Sequence, residues 1–181
     1  MRIFGIDPGS QRTGYGCIDT DGSRHRFVAC GAVTVSTRIP FPDRLAGIYD
    51  ELVSLLATHQ PECVAIENVF VARNAKSSLK LGHARGVAML AASKAGLSVA
   101  EYAPTEVKLA VVGYGRAEKQ QVQQMLCLIL GLDTPPTPHD ASDALAIAVC
   151  HAHTSGGAVA TPTPRQPEVR SWRDYRPASR S

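Results

Sequence analysis

The sequence predicts an α/β domain built on a mixed five-stranded sheet, an antiparallel three-stranded meander continued by parallel strands, with helices on both faces. Two observations predict it. Residues 3–35 hold three strand-like runs separated by tight turns, the mark of a meander. From residue 40 onward, segments of helical periodicity alternate with short apolar runs, which is how parallel strands are connected. A chain of 181 residues suits one such domain, expected over residues 1–154, with residues 155–181 as a flexible tail rich in Gly, Pro, Thr, Ser and Arg.

Ile3, Phe4 and Ile6 read as a short buried strand that stops at Asp7, because Pro8 cannot donate to a ladder and Gly9 permits a turn. Residues 13–19 and 24–35 supply the second and third strands, joined by Thr20-Asp21-Gly22-Ser23. Pro40 and Pro42 precede a helix whose cap is expected at Asp43, and Leu45, Ile48, Leu52, Leu55 and Leu56 mark its inner face. After Pro61, residues 63–66 are a continuous apolar run, as in a strand covered on both faces. A long helix is expected over residues 75–95, stopped by Gly96. Within it Gly82 and Gly86 permit close approach of another backbone, such as that of a second subunit. Residues 97–102 form a fifth strand, 104–112 a helix opened by Pro104, 113–116 a flexible loop and 117–130 a helix closed by Gly131. The proline-rich stretch 133–138 is a stiff connector into a last helix running from His139 to about His153. This element order is the layout of a ribonuclease H-like fold.

The formal net charge is +3, and the segment from Ser155 onward carries all of it, with five arginines against Glu168 and Asp174. The remainder is neutral but unevenly so: Arg73, Lys76, Lys80, Arg85 and Lys94 follow one another with no acid between Glu67 and Glu101. Such a block suits a phosphate backbone. The five cysteines are widely spaced and never form a C-x-x-C pair, which argues against a zinc module and for a reducing compartment. With no signal-like opening and no apolar run near membrane-spanning length, a cytoplasmic protein with no membrane partner is expected.

Acids stand at the ends of separate elements. Asp7 closes the first strand, at the rim where α/β sheets bind ligands. Glu67 ends the run Val64-Ala65-Ile66, although glutamate is a poor strand former. Asp140 and Asp143 open the last helix, three residues apart and therefore on one face. Each has a plainer reading: an Asx turn for Asp7, a surface acid for Glu67, and a capping pair for Asp140 and Asp143. Together, four carboxylates would repel one another unless cations sat among them. A set of oxygen ligands without a His or Cys cluster favours Mg²⁺ or Mn²⁺ over zinc. Two such ions can activate a water and stabilise a leaving 3′ oxygen, so the constellation points to metal-assisted hydrolysis of phosphodiesters.

Lys76, Lys80 and His83 share one face of the long helix, with Arg73 just before it. A solvated charged face is the plain reading, and a surface that tracks phosphates is the functional one. Phe70 is either core or, between an acidic strand end and a basic helix, a residue that stacks on an unpaired base. Lys108 and residues 116–119 add cations on the same rim. His139 reads as a partly exposed cap residue, with proton transfer as the alternative. Cys150-His151-Ala152-His153 reads as a terminal helical turn rather than a metal site, because successive helical residues face different ways.

Gly-Ile-Asp-Pro-Gly-Ser with Thr-Gly-Tyr-Gly, Ala-Ile-Glu-Asn-Val-Phe, Leu-Lys-Leu-Gly-His-Ala-Arg-Gly, Ala-Glu-Lys-Gln-Gln-Val and Asp-Ala-Ser-Asp-Ala-Leu-Ala occur in this order. They resemble the RuvC family of Holliday junction resolvases over residues 1 to 154. The resemblance implies a homodimeric, Mg²⁺-dependent endonuclease that nicks two opposing strands of a four-way DNA junction and leaves 5′-phosphate ends. It implies that Asp7, Glu67, Asp140 and Asp143 hold two metal ions, Mg²⁺ or in its place Mn²⁺. Phe70 matches an aromatic that meets unstacked bases, and Lys108 and Lys119 match basic residues near the scissile phosphate. It also implies work with a branch-migration complex of RuvA and RuvB. Two other readings stay open. The first loop also resembles that of actin-like ATPases and sugar kinases, though those need two lobes. The acids could also be mere caps in a non-catalytic junction-binding module.

Overall fold

The structure, a computed structural model, describes residues 1–68 and 75–155. Its strands are β1 (Arg2–Asp7), β2 (Arg12–Thr20), β3 (His25–Thr34), β4 (Cys63–Glu67) and β5 (Ser98–Tyr102). They form one sheet in the order β3-β2-β1-β4-β5, antiparallel across the first three and parallel from β1 to β4 to β5. The helices are α1 (Phe41–His59), α2 (Ala75–Lys94), α3 (Pro104–Val112), α4 (Lys119–Leu130) and α5 (His139–Ser155). The expected architecture is therefore met.

Strand alternation sorts the core into two layers. Phe4, Ile6, Cys17, Val64 and Ile66 point to one face and pack with Ile48 and Leu52 of α1 and Ala84, Ala88 and Ala91 of α2. Ile3, Ile18, Cys63 and Ala65 point to the other, against α3, α4 and α5. Residues Ala144 through Cys150 of α5 are all buried, so this helix is apolar on every side and lies inside the molecule.

α5 seats deeply because the sheet beneath it lacks side chains. A Cβ added at Gly5 would lie 2.0 Å from the Ala144 carbonyl oxygen. One at Gly14 would lie 2.0 Å from that of Asp140, and one at Gly16 would lie 2.7 Å from the Leu145 amide nitrogen. The register pairs Gly5 with Gly16 and Asp7 with Gly14, so the three glycines form one bare patch on the α5 face. None has a positive φ; what they supply is the missing Cβ.

The element ends differ in detail from expectation. α1 begins at Phe41 with Pro40 at its N-cap, Pro42 pre-sets the first turn, and no side-chain cap bond forms. Asp43 is thus not the cap; it sits in the first turn, where its charge complements the helix dipole. α4 starts at Lys119 rather than residue 117, because Glu118 is extended as N-cap and its N–H donates to Gln121 Oε1 at 2.8 Å. Gly96 and Gly131 close their helices with positive φ, as expected, and Gly113, expected in a flexible loop, does the same for α3. α5 runs to Ser155, two residues past the expected end. Residues 156–181, the expected tail, lie outside the described residues.

Gly5→Ala is expected to destabilise the fold by about 3 kcal/mol, the upper part of the usual overpacking range, because both partners of the clash are backbone. Gly47→Ala in α1, where the new Cβ would meet Val35 at an ordinary 3.5 Å, is expected to be neutral or stabilising by about 0.5–1 kcal/mol. Urea denaturation of the two variants checks both signs.

Candidate active site

Parity and register bring the acids together. Asp7 follows Gly5 by two residues and Glu67 follows Ala65 by two, so both carboxylates face the α5 side of the sheet. Ile6 pairs with Ile66 in parallel register, which sets Asp7 beside Glu67 at the same strand end. On the other side Asp7 pairs with Gly14, and the bare Gly14 lets α5 start directly above it with Asp140. Asp143 follows one turn later and is one-third exposed, with its Oδ2 2.6 Å from Lys119 Nζ.

The charges reflect the crowding. Burial, then Glu67, Asp143 and Asp140, push the Asp7 carboxyl from its ordinary 3.8 up to about 8, with Lys119 opposing them. Burial and then Asp143 push Glu67 upward, with Lys119 and Lys108 opposing. Asp7 thus feels all three other acids, and Glu67 feels Asp143 as well as Asp7. Arg12 reaches Asp140 from the start of β2, 3.5 Å from its Oδ2. Glu67, Asp143, Lys108 and Lys119 line one open cleft of ≈ 230 Å³.

Among the described residues no three His, Cys, Asp or Glu side chains stand as a finished ligand shell. Lys119 and Arg12 draw Asp143 and Asp140 individually toward themselves. The donor set nonetheless fits hard divalent cations in type and charge: oxygen ligands only, on adjoining elements, with two carboxyls held above their ordinary range by burial and like charge.

Several supports carry no obvious mark in the sequence. Arg44 is buried, donates to the Ser10 carbonyl and lies 5.5 Å from the Phe41 ring, bracing the loop after Asp7. A signal for it does exist, because the buried positions 44, 48, 52 and 56 of α1 follow one helical stripe. Thr13 Oγ1 donates to the Gly9 carbonyl at 2.9 Å and ties the same loop. Arg85 donates from Nε to the Glu67 carbonyl at 3.3 Å and pairs with Glu101, so this member of the cationic block holds the end of β4. The His139 ring is joined through Nδ1 to Gln123 Nε2 at 2.9 Å, consistent with a positional role.

Lys76 is exposed and Lys80 half-buried on α2, with Lys80 Nζ 5.7 Å from the Phe41 ring centre. Phe70 and Arg73 lie outside the described residues. His151 Nδ1 meets the Tyr102 hydroxyl at 2.7 Å, and His153 Nδ1 donates to the Ala110 carbonyl at 2.9 Å. These two histidines tie the end of α5 to β5 and α3. All five cysteines are free thiols. No described helix is long and apolar enough to cross a membrane.

The Asp7 shift has a pH consequence. Between pH 3.8 and about 8 the folded chain retains a proton that the unfolded chain has released, so stability falls as pH rises through that window. Asp7→Asn removes the penalty. The variant is expected to exceed the parent by on the order of 3 kcal/mol at pH 8.5, a figure reduced from ~1.4 kcal/mol per pH unit because the rim is open to water. The margin is expected to vanish near pH 4. Denaturation at both pH values, without divalent ions, checks this; equal margins would refute it.

The family described as Crossover junction endodeoxyribonuclease RuvC matches residues 3–151. The protein of that name from Koribacter versatilis is 56% identical over 156 residues, 86% of this chain and 94% of the relative. That from Pelobacter propionicus is 50% identical over 178 residues, 98% and 100% of the two chains. The solved structure of Thermus thermophilus RuvC in complex with Holliday junction substrate aligns with a TM-score of 0.83 at 36% identity, covering 86% of this chain and 95% of that one. The ribonuclease H-like layout expected from the element order is therefore the fold found. On these matches the chain belongs to the RuvC family of crossover junction endodeoxyribonucleases.

Proposed function

We propose that this chain is a metal-dependent endonuclease that resolves four-way DNA junctions, nicking two opposing strands symmetrically and leaving 5′-phosphate ends. The observation that carries the reading is the placement of Asp7, Glu67, Asp140 and Asp143 at one end of the sheet of a RuvC-family chain, with Asp7 coupled to the other three.

Asp7 is the natural shared ligand, with Glu67 and Asp143 on one side of it and Asp140 on the other. Mg²⁺ suits these donors, with Mn²⁺ as a substitute. Bound there, the ions would supply a nucleophilic water and charge stabilisation at the leaving oxygen. Lys119 neutralises Asp143 and, with Lys108, lines the cleft beside the acids, where both ammonium groups can bind the phosphate under attack. Glu67 is held in place through its carbonyl by Arg85, and Asp7 by a loop that Arg44 and Thr13 brace. Arg73, Lys76 and Lys80 are assigned to the DNA backbone and Phe70 to unstacked bases at the junction centre. The nuclease is assigned to residues 1–154, with residues 155–181 as an accessory basic tail.

A homodimer follows from the two-fold symmetry of a junction with two cuts. The exposed face of α2 supports it. Leu79 and Leu90 are 63% and 50% exposed, and between them Gly82 and Gly86 have open space above the backbone. Work alongside RuvA and RuvB in the cytoplasm completes the reading.

Asp7→Asn is expected to bind junctions with near-parental affinity but to lose several kcal/mol of transition-state stabilisation, roughly 10³-fold in cutting rate with Mg²⁺. Cleavage of four-way junctions against linear duplexes measures this. Undiminished cutting by the variant would overturn the assignment. Nicking by neither protein with any divalent ion, despite tight binding, would favour the non-catalytic module. Leu79→Lys combined with Leu90→Lys is expected to shift the chain from dimer to monomer in sedimentation while leaving its circular dichroism unchanged.

A further inference from the structure

A second cleft lies on the opposite side of the acids from Lys108 and Lys119. It is ≈ 570 Å³ and open, and its lining includes Arg12, Arg38, Ser36, Thr37 and Asp140. Its floor is built rather than loose. Arg12 is paired with Thr34 in the β2–β3 ladder, and the Val35 N–H donates to the Gln11 carbonyl at 3.1 Å. Beyond the ladder the Arg38 N–H donates to Ser36 Oγ at 3.2 Å, closing a turn whose residues Ser36, Thr37 and Arg38 line the cleft. Asp140 is the point of contact with the acid cluster, as Asp143 and Glu67 are for the first cleft.

We propose that Arg12 and Arg38 form a second phosphate-binding cleft, which grips the DNA strand to be cut on the far side of the acids from Lys119. This rests on the nuclease reading above. The acids repel a polyanion, so a strand laid across them needs cations on both flanks. The first cleft supplies two ammonium groups and the second supplies two guanidinium groups, whose forks match phosphate oxygens in pairs. The lining offers guanidinium groups, hydroxyls and one carboxylate but no aromatic ring, so it suits the sugar–phosphate chain and not a base. Arg12 is a positioning residue. Its pair with Asp140 spans 3.5 Å with the side chains 50% and 34% exposed, and so is weakly held. The guanidinium can therefore take a phosphate while remaining beside Asp140, which fixes the strand relative to the acids.

The test uses full-length protein carrying Asp7→Asn, without divalent ions, so that binding is read apart from cutting. Affinity for a four-way junction is measured across a salt series for this protein and for versions adding Arg12→Gln and Arg38→Gln. Removing each phosphate-binding arginine is expected to lower the slope of log affinity against log salt by about 0.9, alike for junctions of different sequence. Arg26→Gln, whose partner Asp19 lies elsewhere on the surface, is expected to leave the slope unchanged. A neutral methylphosphonate at the phosphate the cleft holds is expected to weaken binding with the arginines present and to cost nothing further once they are gone. If Arg12→Gln in the parent weakens cutting while the salt slope stays unchanged, Arg12 only holds Asp140, and the proposal is overturned. Should the double variant fail to fold by circular dichroism, Arg38→Gln alone with the methylphosphonate series decides the matter. If the parent protein shows no preference for junctions over duplex, the nuclease reading itself fails. A preserved preference with no arginine effect overturns the cleft alone.

Discussion

The seating of α5 on Gly5, Gly14 and Gly16 is the constraint from which the site follows. Two acids come from strand ends and two from a helix, and helix side chains reach a strand rim only if the helix axis lies close to the sheet. Three missing β-carbons permit that approach. They also make α5 a buried helix, since its other sides are closed by α3 and α4 and by the apolar ends of β1 and β2. Ala144 and Ala148, the residues that a Cβ at Gly5 would meet, serve the same end from the helix side. The catalytic assignment therefore depends on packing one or two turns away from the carboxylates, and no loop is needed to deliver Asp140 and Asp143.

Close seating has an electrostatic cost. Bringing carboxylates together at a partly buried rim raises two of them, and Asp7 most, because it is the most enclosed and has the other three around it. Native chains tolerate this cost where function requires charge. The compensation here is peripheral. Lys119 and Arg12 sit at the exposed edges of the cluster, on Asp143 and Asp140, while among the described residues no ion pair reaches the inner carboxylates of Asp7 and Glu67. The unmet demand for positive charge is thus greatest at the centre, where a small divalent ion suits better than a long ammonium side chain.

Much of this is legible in the chain. Asp7 and Glu67 announce themselves because an acid ending an apolar strand has no packing reason to be there, and Asp140 and Asp143 because i and i+3 share a face. Their convergence is legible only in principle. It depends on the pairing of β1 with β4 and of Asp7 with Gly14, which are long-range choices. The glycines of β1 and β2 are the close-approach positions within the chain, while Gly82 and Gly86 leave open space at the surface of α2. Arg44 escapes a sequence reading because an arginine on an apolar stripe looks like an edge residue until a carbonyl is found for it. Asp43 looks like the cap of α1, yet two prolines already determine that turn. Arg12 carries no local signal at all; its meaning arises from the neighbour that the fold gives it.

The division of labour between rigid and adaptable parts follows from the same geometry. The carboxylates sit on short side chains at the ends of regular elements, where errors of position are small and preorganisation requires little ordering. The cations sit on long side chains around the rim: Lys108 and Lys119 in one cleft, Arg12 and Arg38 in the other, Lys76 and Lys80 along α2. A junction arm is a deformable polyanion, and side chains with many rotamers can follow it where a fixed lattice of charge could not. Chemistry demands placement to a fraction of an ångström, whereas backbone grip depends chiefly on charge count. On the proposed nuclease reading, the fold meets the first demand with glycine and alanine packing and the second at its surface, and the pairs Lys119–Asp143 and Arg12–Asp140 join the two.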